Sequence, residues 1–164
     1  MKSYSLEIFA DYNQVYLHDE TIEPDLSVAW DDQAYEKLII VDNGYIALST
    51  ARNMDVPVEI VVSDEKPDID KKSWEHIVYC SITLASGFWL LASGFLVVRG
   101  PSDYLPDATR VKLKPGNYAA YVLYKGLTTL SEDGLEGDDY YNIILWPSDD
   151  AVDVTVLKNS GFNC

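Results

Sequence analysis

Lys114-Pro115-Gly116-Asn117-Tyr118-Ala119-Ala120-Tyr121-Val122-Leu123-Tyr124 and Tyr140-Tyr141-Asn142-Ile143-Ile144-Leu145-Trp146-Pro147 are the two stretches that decide the fold. Pro115 presets the φ that the first corner of a tight turn needs and Gly116 tolerates a positive φ, so the first stretch opens with a turn. Tyr118 to Tyr124 and Tyr140 to Trp146 are rich in aromatic and β-branched residues, which suit a pleated, half-buried surface, and both read as central strands. Pro147 has no N–H to offer a ladder and stops the second. Between them Ser131 to Asp139 carries Glu132, Asp133, Glu136, Asp138 and Asp139 and no Lys or Arg. That acidic loop is the first functional candidate.

Working outward, Tyr4 to Ala10 alternates as a half-buried strand does, Asp11 to Gln14 reads as a turn, and Val15 to His18 reads as the returning strand of an opening hairpin. Asp19 to Asp25 is a loop. Trp30 to Leu38 is the one helix signal: Asp31 as N-cap, Asp32 against the positive end of the dipole, Trp30 stapled against Tyr35. β-Branching makes Ile39 to Val41 a strand, and Asp42-Asn43-Gly44 turns the chain into Tyr45 to Thr50. Pro57 places Val56 to Ser63 at a sheet edge or at a strand start. Asp64 to Lys72 is a solvated loop, and His76 to Thr83 a strand. Ala85 to Val98 repeats Ala-Ser-Gly-Phe and reads as two short strands with a kink. Arg99 to Ala108 is a loop, while Thr109 to Lys114 and Ala151 to Leu157 are further strands. About ten strands and one short helix, with frequent turns, make the pattern of an antiparallel sandwich or barrel. The expectation is an all-β chain: one antiparallel β-sandwich domain over 1–158, with 159–164 as a C-terminal tail.

Composition narrows the function. The net charge of −15 on 164 residues leaves too few bases to displace phosphate counterions, so direct nucleic-acid binding is not expected, whereas a basic protein surface is a suitable partner. The charge is uneven, with 16 acids and 4 bases in residues 1–70 against 11 acids and 8 bases in the remainder. Cys80 lies in a strand and reads as a buried reduced thiol, and Cys164 is the last residue, so no disulfide is expected. Met1 to Tyr12 carries Lys2, Glu7 and Asp11 and lacks the apolar core of a secretory signal, and Phe88 to Val98 is too short for a span of about 20 residues. A cytoplasmic protein with no membrane insertion is the expectation.

Catalytic chemistry fails on residue supply. His18 and His76 have no partner in the sequence; His18 reads as a surface residue and His76 as structural or exposed. No CxxC, HExxH, GxSxG or phosphate-cradling glycine pattern occurs, and the acidic segments lack calcium-loop spacing. The chain is not expected to be an enzyme, to hold a metal or to need a cofactor.

Four phrases in order are Tyr12-Asn13-Gln14-Val15, Trp30-Asp31-Asp32-Gln33-Ala34, Gly44 to Asn53, and Leu113-Lys114-Pro115-Gly116-Asn117-Tyr118. Together they resemble the competence protein J family of nuclease inhibitors, and the bacterial immunity proteins of similar build, over Tyr4 to Trp146. The resemblance implies a small cytoplasmic protein that binds and blocks a nuclease or a comparable basic toxin. It does not say which residues make contact. On chemistry alone the partner-binding candidates are Glu132, Asp133, Glu136, Asp138, Asp139 and Tyr140 in and beside the loop, and Asp31, Asp32 and Glu36 on the helix. The rival is a β-sandwich module for carbohydrate or another small ligand, with Trp74, Trp89, Tyr140 and Trp146 as stacking platforms. A coplanar exposed row of rings in a groove favours the rival, and buried rings beneath an acidic, groove-free face favour the inhibitor. Edge strands without strong gatekeepers leave a homodimer open.

Overall fold

The computed structural model describes residues 1–22, 30–42, 44–84 and 94–162. Among them are eleven strands and one α-helix. β1 (Lys2–Phe9), β5 (Asp55–Val62), β6 (His76–Leu84), β9 (Gly116–Lys125), β10 (Tyr140–Pro147) and β11 (Thr155–Lys158) form the larger sheet, in the order β1-β5-β10-β9-β6-β11. The second sheet holds β2 (Gln14–Asp19), β3 (Ile39–Asp42), β4 (Tyr45–Ser49), β7 (Phe95–Arg99) and β8 (Thr109–Lys112), in the order β3-β4-β2-β7-β8. The fold is an all-β sandwich with one short helix, α1 (Asp32–Lys37). β9 and β10 are central, paired antiparallel from Tyr140 opposite Lys125 to Pro147 opposite Tyr118.

Period-two burial makes the core. In β9 the buried Tyr118, Ala120, Val122 and Tyr124 face inward, where they meet Leu17, Ile46 and Leu48 of the second sheet and Val58, Ile60, Ile143 and Leu145 of the first. The alternate residues of β9, Ala119, Tyr121 and Leu123, are buried too, in a second apolar cluster with Ile77 and Trp146. Ile69 packs on that cluster and the Lys66 ammonium lies 4.9 Å from the Tyr79 ring centre. The segment 64–72 is a mostly exposed loop, as expected, that also lays Ile69 and Lys66 over the outer face of the larger sheet.

Two expectations are corrected, the opening hairpin and the exposure of His18. β1 and β2 do not form a hairpin: β1 pairs with β5 in one sheet, β2 with β4 and β7 in the other. The turn between them carries the chain across the sandwich, with Tyr12 and Asn13 at positive φ of 56° and 59°. Of the two readings of Pro57 the strand start holds: it lies near the start of β5, an interior strand, one residue before the ladder with β10 begins at Val58. That ladder is parallel, the one exception to antiparallel pairing among the described residues. His18 is buried rather than superficial, its Nδ1 2.8 Å from the Asp19 carbonyl and its Nε2 accepting from Arg99 Nε at 3.1 Å. The helix reading holds, with Asp31 Oδ1 accepting from the Ala34 amide at 2.9 Å and the Trp30 and Tyr35 rings stacked at 5.2 Å.

His76 is structural, buried, with Nε2 2.7 Å from the Lys37 carbonyl and Nδ1 accepting from the Ser160 amide. Through that bond, and through Phe162 against the core, the segment expected as a tail is held to the sandwich. Cys80 is a buried free thiol, pushed up to about 12 by burial. The loop 23–25, the first half of the repeated Ala-Ser-Gly-Phe region with Trp89, and Cys164 lie outside the described residues.

Candidate functional site: an acidic end with exposed aromatic side chains

Strand registers place the loops at two ends of the sandwich. At one end meet the close of β1 and the start of β5 (Phe9 opposite Asp55), the β9–β10 connection, the start of β6, the β2–β4 end (Gln14 opposite Ser49) and the β7–β8 connection. Helix α1 closes on the same end, because the Leu38 carbonyl that follows it accepts from the Ser49 amide at 2.9 Å and from Tyr124 Oη at 2.7 Å. Arg52 Nη1 donates to the Leu135 carbonyl at 3.3 Å and ties the acidic loop to this end, so the loop acids at 132–138 and the helix acids at 31–36 lie at the same end of the sandwich.

The acidic loop is a built structure. Glu75 Oε2 accepts from the amides of Gly126 and Leu127 at its start, and Leu127 is buried beneath it. Thr129 Oγ1 donates to the Gly126 carbonyl and accepts from the Asp138 amide at 2.7 Å, closing the stem. Higher up, the Ser131 amide donates to the Glu136 carbonyl at 2.8 Å. These bonds leave Glu132, Asp133, Glu136 and Asp138 exposed around Leu135, which is itself 49 % exposed. Asp133 also serves its own loop, accepting from Ser131 Oγ and from the Leu135 amide; those bonds, the Ser131 one foremost, lower its pKa.

Asp139 belongs elsewhere. It is 1 % exposed, with Oδ1 2.6 Å from Arg52 Nε and Oδ2 accepting from Tyr141 Oη at 2.7 Å. The same Tyr141 oxygen accepts from the Ala51 amide, and Arg52 Nη1 donates to the Leu135 carbonyl. This node fastens the loop to the β4–β5 connection and removes Asp139 from the surface. Tyr140 is half-buried, donating to Glu59 and stacked on Trp74 at 6.1 Å, with the Lys125 ammonium 4.9 Å from both ring centres. Its pKa is raised, by burial first and then by Glu59. On α1, Asp31, Asp32 and Glu36 are all exposed, and Asp31 is also the cap.

Other members of this end carry no signal in a linear reading. Tyr12 is 72 % exposed and Tyr104 71 %. With Phe9, Tyr35, Leu105 and Leu135 they make six of the eight exposed large hydrophobic side chains among the described residues, so the exposed apolar surface described is concentrated where the acids are. Asp55, Asp103 and Asp107 line a cleft of about 250 Å³ beside Phe9 and Tyr104. The signal available in the sequence was an aromatic within a turn, Tyr12 after Asp11 and Tyr104 between two prolines, where a core role is unnatural.

Among the described residues, which leave out Trp89, the rings of the rival platform do not form an exposed coplanar row. Trp146 is 4 % exposed and stacked parallel on Tyr79 at 5.9 Å, while Trp74 and Tyr140 are half-buried under Lys125. Among the described residues no group of three His, Cys, Asp or Glu side chains is placed to hold a metal ion.

This fold is a known one. No protein-family model matches the chain, and no curated protein matches it by sequence. Two solved structures share the sandwich. One is ComJ, inhibitor of the DNA degrading activity of NucA, from Bacillus subtilis, with a TM-score of 0.67, 16 % identity, and 90 % of this chain and 98 % of that chain covered. The other is the crocagin biosynthetic gene J protein, with a TM-score of 0.56, 16 % identity, and 90 % and 99 % covered. The chain is thus a ComJ-like β-sandwich in fold, in keeping with the resemblance carried by its ordered phrases.

Proposed function

We propose that this protein is an acidic inhibitor, or immunity protein, that binds a nuclease or a comparable basic toxin in the cytoplasm and blocks it. The observation that carries the reading is the coincidence, at one end of the sandwich, of the acidic loop, the acids of α1 and most of the exposed aromatic and apolar side chains. Nucleases present basic, phosphate-reading clefts, and an acidic face meets such a cleft with steered association, while exposed Tyr and Leu side chains supply the desolvated anchors that charge alone does not. The fold shared with an inhibitor of a nuclease supports the same reading. Glu132, Glu136 and Asp138 form the leading contact group, with Asp31, Asp32 and Glu36 beside it; Asp139 is excluded by its burial.

The test assays DNA degradation by basic nuclease purified from the source cell, with the protein added at rising salt. Wild-type protein is expected to inhibit, and its association rate to fall steeply with ionic strength. The variant Glu132→Lys/Glu136→Lys/Asp138→Lys is expected to associate roughly ten- to a hundredfold more slowly at low salt, with little salt dependence. Unchanged inhibition and unchanged salt dependence in that variant remove the acidic end from the mechanism.

A further inference from the structure

Among the described residues four strands have one side without a neighbour in their sheet: β1 and β11 in the larger sheet, β3 and β8 in the smaller. β3, β8 and β11 have four residues each, and short outer strands offer little to pair with. β1 has eight, with no proline and an unbroken register against β5. The Ala10 amide donates to the Met54 carbonyl at 2.9 Å, which continues that ladder and fixes its phase. In an antiparallel pair every second residue exchanges both backbone bonds with its partner. Tyr4, Leu6 and Ile8 therefore bond to β5, while Ser3, Ser5 and Glu7 turn N–H and C=O outward. Pro57, opposite Glu7, agrees, since its missing N–H then faces away from β1. Among the described residues no strand pairs with that side of β1, and Ser3, Ser5 and Glu7 are all exposed. At Phe9 the open edge ends, because Gly100 packs directly on the Phe9 carbonyl and leaves no room for a Cβ. Ser3 to Glu7 spans roughly 14 Å, enough for five residues of an added strand.

Charge decides what this edge selects. Glu7 projects from the outer face of the sheet, the face that also carries Phe9 and, opposite it, Asp55. With Asp55, Asp103 and Asp107, Glu7 lines the cleft of about 250 Å³, and no Lys or Arg lines it. Lys2, the one base on β1, stands at the other end and on the opposite face. A second copy of the chain brings another net −15 and sets acid against acid, so charge turns it away and draws a basic segment in. We propose that the free edge of β1 receives an extended segment of the basic protein partner as an added antiparallel strand, its alternate basic side chains on the outer face and reaching the cleft. Backbone bonds to Ser3, Ser5 and Glu7 hold the segment and the carboxylates choose it, as main chain and side chains divide the work in strand addition generally. The inference rests on the reading of the acidic end as a face for a basic protein, and it gives that partner a backbone contact apart from the acidic loop.

The probe is the soluble peptide acetyl-Lys-Thr-Lys-Thr-Lys-Thr-amide, titrated into the isotope-labelled full chain while backbone amide resonances and their hydrogen exchange are followed. Saturable slowing of exchange is expected at Ser3, Ser5 and Glu7, with Tyr4 and Leu6, already bonded to β5, unchanged. Directly opposite residues of an antiparallel pair share a face, so the lysines are the residues whose N–H groups point at β1. Methylating the lysine backbone nitrogens is expected to weaken binding roughly tenfold or more, and methylating those of the threonines to leave it within about twofold, at identical charge. Ser5→Pro removes one outward donor and no ladder bond, and is expected to weaken the parent peptide roughly tenfold, with a circular-dichroism melt to check its fold. Glu7→Gln/Asp55→Asn/Asp107→Asn is expected to weaken the peptide several-fold and to remove most of the salt dependence. Equal binding with methylated lysines, or unslowed exchange at Ser5 and Glu7 in tens of millimolar peptide, overturns the proposal. So does a wild-type dimer in analytical ultracentrifugation that Ser5→Pro dissociates, because the edge then belongs to a second copy. Nuclease inhibition that survives unchanged in Ser5→Pro also overturns it and leaves the role of the acidic loop intact, whereas edge pairing with no nuclease inhibited sinks the nuclease reading alone.

Discussion

Removing the guanidinium of Arg52 is the perturbation that tests the architecture of the acidic end most directly. Arg52→Met keeps most of the aliphatic stem and leaves Asp139, whose side chain is 0 % exposed, beside Tyr141 Oη with no cation. At an effective dielectric constant near 20, opposite charges about 3 to 4 Å apart attract by roughly 4–6 kcal/mol. The surviving Tyr141 bond offsets part of this, and breaking one side of a buried pair costs about 3–5 kcal/mol. Against a total of about 5–15 kcal/mol for a domain, that is a large fraction, and it corresponds to a Tm lower by roughly 6–20 °C. Urea unfolding followed by tryptophan fluorescence measures the loss. In the double variant with Asp139→Asn the buried charge is gone as well, so the two losses are expected to fall short of additivity by about 1.5 kcal/mol or more. A single-variant loss under about 1 kcal/mol refutes the argument, since that is the range of an exposed pair. Because Arg52 also holds the Leu135 carbonyl, the variant should inhibit less well even where it remains folded.

Both histidines are held below their ordinary pKa, chiefly by burial. The unfolded chain therefore takes up protons near pH 6.5 that the folded chain refuses, so stability is full above that pH and falls as the pH drops below it. His76→Gln, which keeps a donor toward the Lys37 carbonyl, should flatten the fall between pH 7 and 5 in urea titrations; an unchanged slope argues that His76 is not a contributor. Cys80, in a Cys164→Ser background, should resist thiol reagents in the native state and react once unfolded, whereas fast native labelling contradicts its burial. Gly126 stands at φ 69°, and a Cβ there would lie 2.2 Å from the Asp138 carbonyl oxygen, so Gly126→Ala should cost upward of about 2 kcal/mol and loosen the loop stem. Hydrogen exchange at the Asp138 amide reports the stem, and a protected amide in that variant contradicts the prediction.

The sequence by itself determined what depends on neighbours along the chain. The Asp31 cap, the Trp30–Tyr35 staple and the Pro115-Gly116 turn are each set within a few residues, and so are the alternations of the strands, which is why they were legible. Tertiary structure decided what depends on partners far away. The Asp11-to-Gln14 turn fits a hairpin as well as a crossover, and only the competing ladders of β5 and β4 send β1 and β2 to different sheets. Asp139 and Asp138 are adjacent and chemically alike, yet one is buried because Arg52 and Tyr141 reach it and the other is exposed because they do not. Tyr12 comes to the Trp30–Tyr35 stack through packing that no linear spacing encodes. Charge is additive along a chain and can be read from it; the place where charge and exposed rings coincide is a property of the fold.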